Sequence, residues 1–210
     1  MVNRVAFFAD KDEVEAYFGL KTKKEVIFEP SYNMAAGTQL PVILLNEETE
    51  NTEIQRVRWG KTTDSDQKNL TVYNEELKAF LRSKKTKRCV VALSGFYIWK
   101  KDDPNKQPFF VRMLNDSVMA VAGLYDYENE IVTLVTADSN TLIQPMTEHM
   151  PLLLNRALSD SWLDKKISMD ELLKNSEDLF KLTDLSVLKV SKKVNDLKNN
   201  DPKLIQPIPK

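Results

Sequence analysis

The stretch RCVVALSGFYIW, residues 88 to 99, decides the fold. Val90, Val91 and Leu93 make a short apolar run. Gly95 interrupts it, and Phe96, Tyr97, Ile98 and Trp99 continue with aromatic and β-branched side chains. Such side chains suit a pleated, buried strand. A glycine within the run marks a bulge or the close approach of another backbone. The charged segments KKTKR before it and KKDDPNK after it read as solvated turns. The stretch therefore predicts a central strand pair in a mostly β domain.

Strand patterns continue outward on both sides. They cover VNRVAFF (residues 2 to 8), Glu25 to Phe28, Leu40 to Asn46 and Glu53 to Gly60. After the core stretch come QPFFVRML, SVMAVAGLY, Glu130 to Ala137 and SVLKV. SYNMAAG (31 to 37) and TTDSDQKN (62 to 69) read as loops, and DDPN (102 to 105) as a hairpin turn. Asp10 or Asp12 predicts the cap of a helix running to about Leu20. Helical spacing returns at Leu77, Phe80 and Leu81. Ser159 predicts a cap for a short helix holding Trp162 and Leu163. Ser168 with Glu171 forms a capping box ahead of ELLKNSEDLFKL. No repeat or linker divides the chain, so residues 1 to 210 read as a single domain.

Composition narrows the function classes. A net charge of -1 announces no nucleic-acid partner by itself, but local patches set the field and not the sum. The one cysteine, Cys89, lies in an apolar run and cannot form an internal disulfide, which predicts a reducing cytoplasm. The one histidine, His149, has no cysteine or histidine cluster around it, which argues against a metal site. No Gly-rich phosphate loop occurs among the five glycines. No signal peptide is visible, and no apolar run approaches the ~20 residues that span a bilayer.

The core stretch resembles the RC-[LIV]-[VI]-P-A-x-G-F-Y-E-W pattern of the SOS-response-associated peptidase (SRAP) family. SYNMAAG with LPVILLN resembles that family's R-Y-N-x-A-P segment, and EIQRVRWG its strand ending in W-G. MPLLL and VNDLKNNDPKLIQPI resemble later family segments, so the likeness runs from the first residues to about Pro207. It implies an α+β fold: a curved, mostly antiparallel β-sheet, barrel-like, with peripheral helices. It implies single-stranded DNA, including abasic sites, as the partner. It also implies a monomer with no cofactor, metal or membrane.

The resemblance also locates the chemistry. The family places a cysteine after the initiator methionine, whose thiol and α-amine attack the aldehyde of an abasic sugar and close a thiazolidine. Here that residue is Val2. If Met1 is removed, an α-amine remains that forms an imine but no sulfur ring. The family's asparagine matches Asn74, with Asn69 as the competing alignment. Its glutamate falls on Ile98. Its histidine falls on Thr147, while His149 occupies the neighbouring arginine slot two residues on, from which it can share a face.

For DNA binding, Arg4 matches a family arginine. Arg56 and Arg58 alternate with Val57 and Trp59 along one strand, which leaves Trp59 either a stacking platform or part of the core. Lys84, Lys85, Lys87 and Arg88 form a basic run suited to phosphates. The sequence thus predicts a DNA-damage-response protein whose hydrolase or peptidase label and crosslinking chemistry are lost or altered. The alternatives are an interaction module on the same fold and an amine-only imine former.

Overall fold

The computed structural model describes residues 2–22, 26–46, 49, 51–63, 66–68, 70–81, 85–174 and 184–209; at residues 61–63, 66–68, 75, 78, 80, 173 and 174 it describes the backbone alone. The first strands are β1 (Val5–Phe7), β2 (Ser31–Met34), β3 (Gln39–Leu45), β4 (Thr52–Trp59), β5 (Lys61–Thr63), β6 (Asp66–Lys68) and β7 (Thr71–Tyr73). Then come β8 (Thr86–Leu93), β9 (Gly95–Trp99), β10 (Pro108–Met113), β11 (Met119–Asp126) and β12 (Ile131–Asp138). The last are β13 (His149–Pro151), β14 (Leu153–Leu154) and β15 (Leu185–Lys189). The helices are α1 (Lys11–Phe18), α2 (Leu77–Leu81), α3 (Arg156–Leu163) and α4 (Met169–Lys174).

The larger sheet runs β13-β12-β4-β3-β8-β11-β14, and β12 also pairs with β11. That extra pairing closes β12, β4, β3, β8 and β11 into a ring, the expected barrel-like curvature. The smaller sheet runs β15-β10-β9-β1-β2. Trp59, Leu40, Ile43 and Leu124 are among the largest fully buried side chains of the main core. A second cluster holds Tyr97, Phe110, Val190, Val194 and Leu204. No described helix is long and apolar enough to cross a membrane.

The core stretch is not one strand pair. β8 belongs to the larger sheet and β9 to the smaller, and the chain changes sheet at Ser94. Ser94 is stitched to β1 and the residues after it. Its N–H donates to the Ala6 carbonyl at 2.8 Å, and its Oγ accepts from the Phe8 N–H at 2.8 Å and the Ala9 N–H at 3.2 Å. Gly95 is the predicted close approach: a Cβ there would stand 2.5 Å from the Val111 carbonyl oxygen and against the Phe110 ring.

Several local expectations change. Residues 31–34 form a strand because β1 captures them and because Asn33 anchors them. The Asn33 Nδ2 donates to the carbonyls of Val194, Asp196 and Asn199 at 3.0–3.1 Å. Residues 26–28 form no strand, whereas the 62–69 segment contains most of the short β5–β6 hairpin. Asn155, not Ser159, caps α3, accepting from the Leu158 N–H at 2.9 Å; Ser159 lies inside the helix with its hydroxyl on the Asn155 carbonyl. Asn69, Lys84, Glu25 and residues 175–182 of the predicted last helix lie outside the described residues.

Glu15 on α1 gives a pH prediction. Its carboxylate is nearly enclosed and accepts from the Thr22 hydroxyl at 2.7 Å, the Thr22 N–H at 2.8 Å and Lys21 Nζ at 2.9 Å. The Thr22 hydroxyl leads these bonds in holding its pKa down, to about 2. The unfolded value is about 4.3, so a depressed native value adds stability that is complete above that pH and lost as pH falls through about 2. Glu15→Gln should therefore lower the thermal midpoint at neutral pH, and the gap to the natural chain should close on acidification. A gap independent of pH, read by circular dichroism melts, contradicts this.

Candidate functional site

Local pairing assembles one cleft at the edge where the two sheets meet. β1 pairs antiparallel with β9, Val5 opposite Phe96 and Ala6 opposite Gly95. The Tyr97 N–H donates to the Arg4 carbonyl at 3.0 Å, which carries the alignment past the end of β1. Residues 2–4 therefore lie alongside Tyr97–Trp99. From the other side, β13 returns along β12 with Asp138 opposite His149. The Lys101 N–H donates to the Met146 carbonyl at 3.2 Å, and the Lys101 ammonium stands 3.3 Å from Glu148. These contacts hold the Thr147 loop against the end of β9.

The resulting cleft has a volume of about 520 Å³. Val2, Ile98, Thr147 and His149 all line it. Four positions that sequence reasoning singled out separately are thus brought to one place. Their atoms are mostly unreactive. Val2 and Ile98 are buried hydrocarbon, and the Thr147 hydroxyl is spent on the His149 carbonyl at 3.4 Å. His149 is the reactive exception. Its Nδ1 lies 3.7 Å from Asp138 Oδ1, Asp138 also accepts from the Tyr73 hydroxyl at 2.8 Å, and the Tyr73 and His149 rings pack at 4.7 Å.

Asn74 is not part of the lining. It opens a single 3-10 turn directly after Tyr73, and its Oδ1 is enclosed without a hydrogen-bond partner among the described residues. It is not the helix cap that its residue type suggests: the cap position is Tyr73, which makes no side-chain cap bond.

The cleft is cationic. Arg4 is half-buried, which lowers its pKa by desolvation, and its Nε has no partner among the described residues. Lys100 and Lys106 also line the cleft, opposed by Asp102 and Asp103. The Asp103 carboxylate is engaged by the N–H groups of Gln107 and Asn105, both at 2.9 Å, which hold its pKa below the usual range. Trp99 forms part of the wall, half-buried, its indole N–H on Asn195 Oδ1 at 2.9 Å. Trp99, Lys100 and Lys106 were missed as site residues. Their signal was adjacency to Ile98 at a strand end.

The other predicted binding residues lie elsewhere. Trp59 has no exposed surface, and its indole N–H donates to the Leu70 carbonyl at 2.9 Å, so it cannot stack on a base. Period-two alternation accounts for this: Val57 and Trp59 point into the core, and Arg56 and Arg58 point out. Arg58 borders a separate hollow with Arg56, Tyr125 and Glu130. Lys87 and Arg88 border a groove on the larger sheet, where Arg88 donates to the Asp164 carbonyl. Lys85 pairs with Glu128. Cys89 is fully buried, and burial pushes its thiol pKa up.

Comparison with known proteins shows the family and the fold. The family model described as SOS response associated peptidase (SRAP) matches residues 1–197. Abasic site processing protein YoqW of Bacillus subtilis (strain 168) is 27% identical, over 98% of this chain and 99% of its own. Abasic site processing protein YedK of Escherichia coli (strain K12) is 25% identical, over 99% of this chain and 100% of its own. A crystal structure of a protein from Bacteroides thetaiotaomicron superposes with a TM-score of 0.76 at 20% identity, covering 98% of this chain and 99% of that one.

Proposed function

The chain belongs to the SOS-response-associated peptidase (SRAP) family, and from that premise we propose that it binds single-stranded DNA, abasic DNA included, in the cleft at Val2 without crosslinking to it. On this reading the chain serves the DNA-damage (SOS) response. The observation that carries it is the shared cleft: Val2, Ile98 and Thr147, to which the resemblance assigns the family's reactive positions, all line it, with cations and an aromatic ring around them. General acid–base groups contribute about 10²–10⁴-fold each, so replacing the carboxylate and the imidazole along with the thiol removes most of the reaction. A hydrolase or peptidase label lacks its nucleophile for the same reason. Binding has different requirements. Arg4, Lys100 and Lys106 offer charge to phosphates and Trp99 a face to a base.

The test is fluorescence anisotropy with single-stranded DNA across salt concentrations. Affinity should fall as salt rises, because neutralised phosphates release counterions. Arg4→Ala should weaken binding and flatten the salt slope by about one unit. Trp99→Ala should cost about 1–3 kcal/mol and leave the slope nearly unchanged. Absence of any affinity at low salt overturns the reading in favour of an interaction module.

A further inference from the structure

A second groove, away from the cleft, opens where β3 and β8 part. The ladder between them covers only Val42–Ile43 against Val91–Val90. Yet β3 continues to Leu45, and β8 has already run from Thr86. β3 stays paired to β4 and β8 to β11 through this region, so the two neighbours diverge like an open seam. Hollows of about 340 Å³ and about 470 Å³ flank the seam, and both are lined by Leu44, Leu45 and Lys87.

The chemistry of the first hollow selects its occupant. Its floor is aliphatic: Leu44, Leu81, Leu163, Ile167 and Met169. Its charged lining is Lys87, Arg88 and Lys165, with no carboxylate among the lining residues described. Arg88 is held there by the Asp164 carbonyl and the Met169 sulfur. No aromatic ring is among its described lining residues, and none of these offers the stacking platform that single-stranded nucleic acid uses. An open seam between strands offers main-chain pairing to an extended chain, and alternate side chains then fall into pockets. The three residues Thr86–Arg88 that line it match a segment of about 10 Å at strand rise.

We propose that this seam docks an extended peptide segment that alternates aliphatic and acidic residues. The aliphatic side chains fill the hollow and the carboxylates meet Lys87, Arg88 and Lys165.

The test is selection of a random short-peptide display library on the full chain, followed by titration of a fluorescein-labelled synthetic copy of the most enriched peptide. Enriched sequences should place Asp or Glu beside Leu, Ile or Val. Lys165→Glu, an exposed position that leaves the fold intact, should weaken the peptide at least about tenfold, the effect of reversing one close charge. Ile167→Gln should also weaken it, and oligo(dT) should not displace it. Four outcomes overturn the proposal: no enrichment, enriched peptides without acidic residues, affinity unchanged in both variants, or displacement by oligo(dT), which makes the groove a nucleic-acid surface.

Discussion

Val2→Cys combined with Ile98→Glu, produced with residue 2 as a free N-terminus, should give the protein a heat-stable adduct with abasic single-stranded DNA that the natural chain does not form. The two positions line one cleft, on paired neighbouring segments. A cysteine at residue 2 supplies both atoms of the ring. Its amine condenses with the sugar aldehyde with loss of water, and its thiol adds to the imine carbon to close the thiazolidine. The glutamate then serves the proton transfers, worth about 10²–10⁴-fold. Ile98 is 4% exposed, so the new carboxyl is desolvated and its pKa raised, which suits a proton shuttle near neutral pH. That burial also costs stability, so the melt is measured beside the crosslink. On denaturing gels the double variant should exceed Val2→Cys alone by at least about 10²-fold in rate. A folded, DNA-binding double variant that stays inert shifts the weight to Thr147, and Thr147→His is then the decisive addition.

Gly95→Ala should be the most damaging single change to the fold. Its added Cβ meets a backbone carbonyl at 2.5 Å as well as the Phe110 ring, and both belong to a packed neighbouring strand that cannot swing aside. Overpacking typically costs about 1–3 kcal/mol, and a clash with a backbone atom falls at the upper end. For a chain of this size each kcal/mol lowers the thermal midpoint by about 2–4 °C. Gly123→Ala meets Cys89 Sγ at 2.9 Å and Val91 Cγ2 at 3.0 Å, side-chain atoms only, and should cost less. The effect of Gly95→Ala reaches the cleft, because β9 carries Ile98 and Trp99. Equal melts for the two variants contradict this ranking.

Gly95 was legible in the sequence because a glycine set among aromatic and β-branched residues marks a point where a neighbour leaves no room for a side chain. The same stretch hid the change of sheet at Ser94, since a period of two says which side chains are buried and not which strand is the neighbour. Trp59 shows the rule misapplied: adjacent strand residues face opposite ways, so Trp59 and Arg58 cannot share a wet surface. Ser31–Met34 became a strand through β1 and the Asn33 anchor, whose partner Val194 lies 161 residues away in sequence. Local propensity carries no record of such contacts. The gathering of Val2, Ile98, Thr147 and His149 was legible only through resemblance, because the loop that delivers Thr147 is fixed by backbone bonds such as Lys101 to Met146.

Incubating the natural chain with abasic single-stranded DNA and running it on native and denaturing gels in parallel separates binding from crosslinking. A shifted, salt-sensitive band is expected on the native gel and only free DNA after heating in detergent. A band that survives denaturation, or no shift at low salt, contradicts the proposed function.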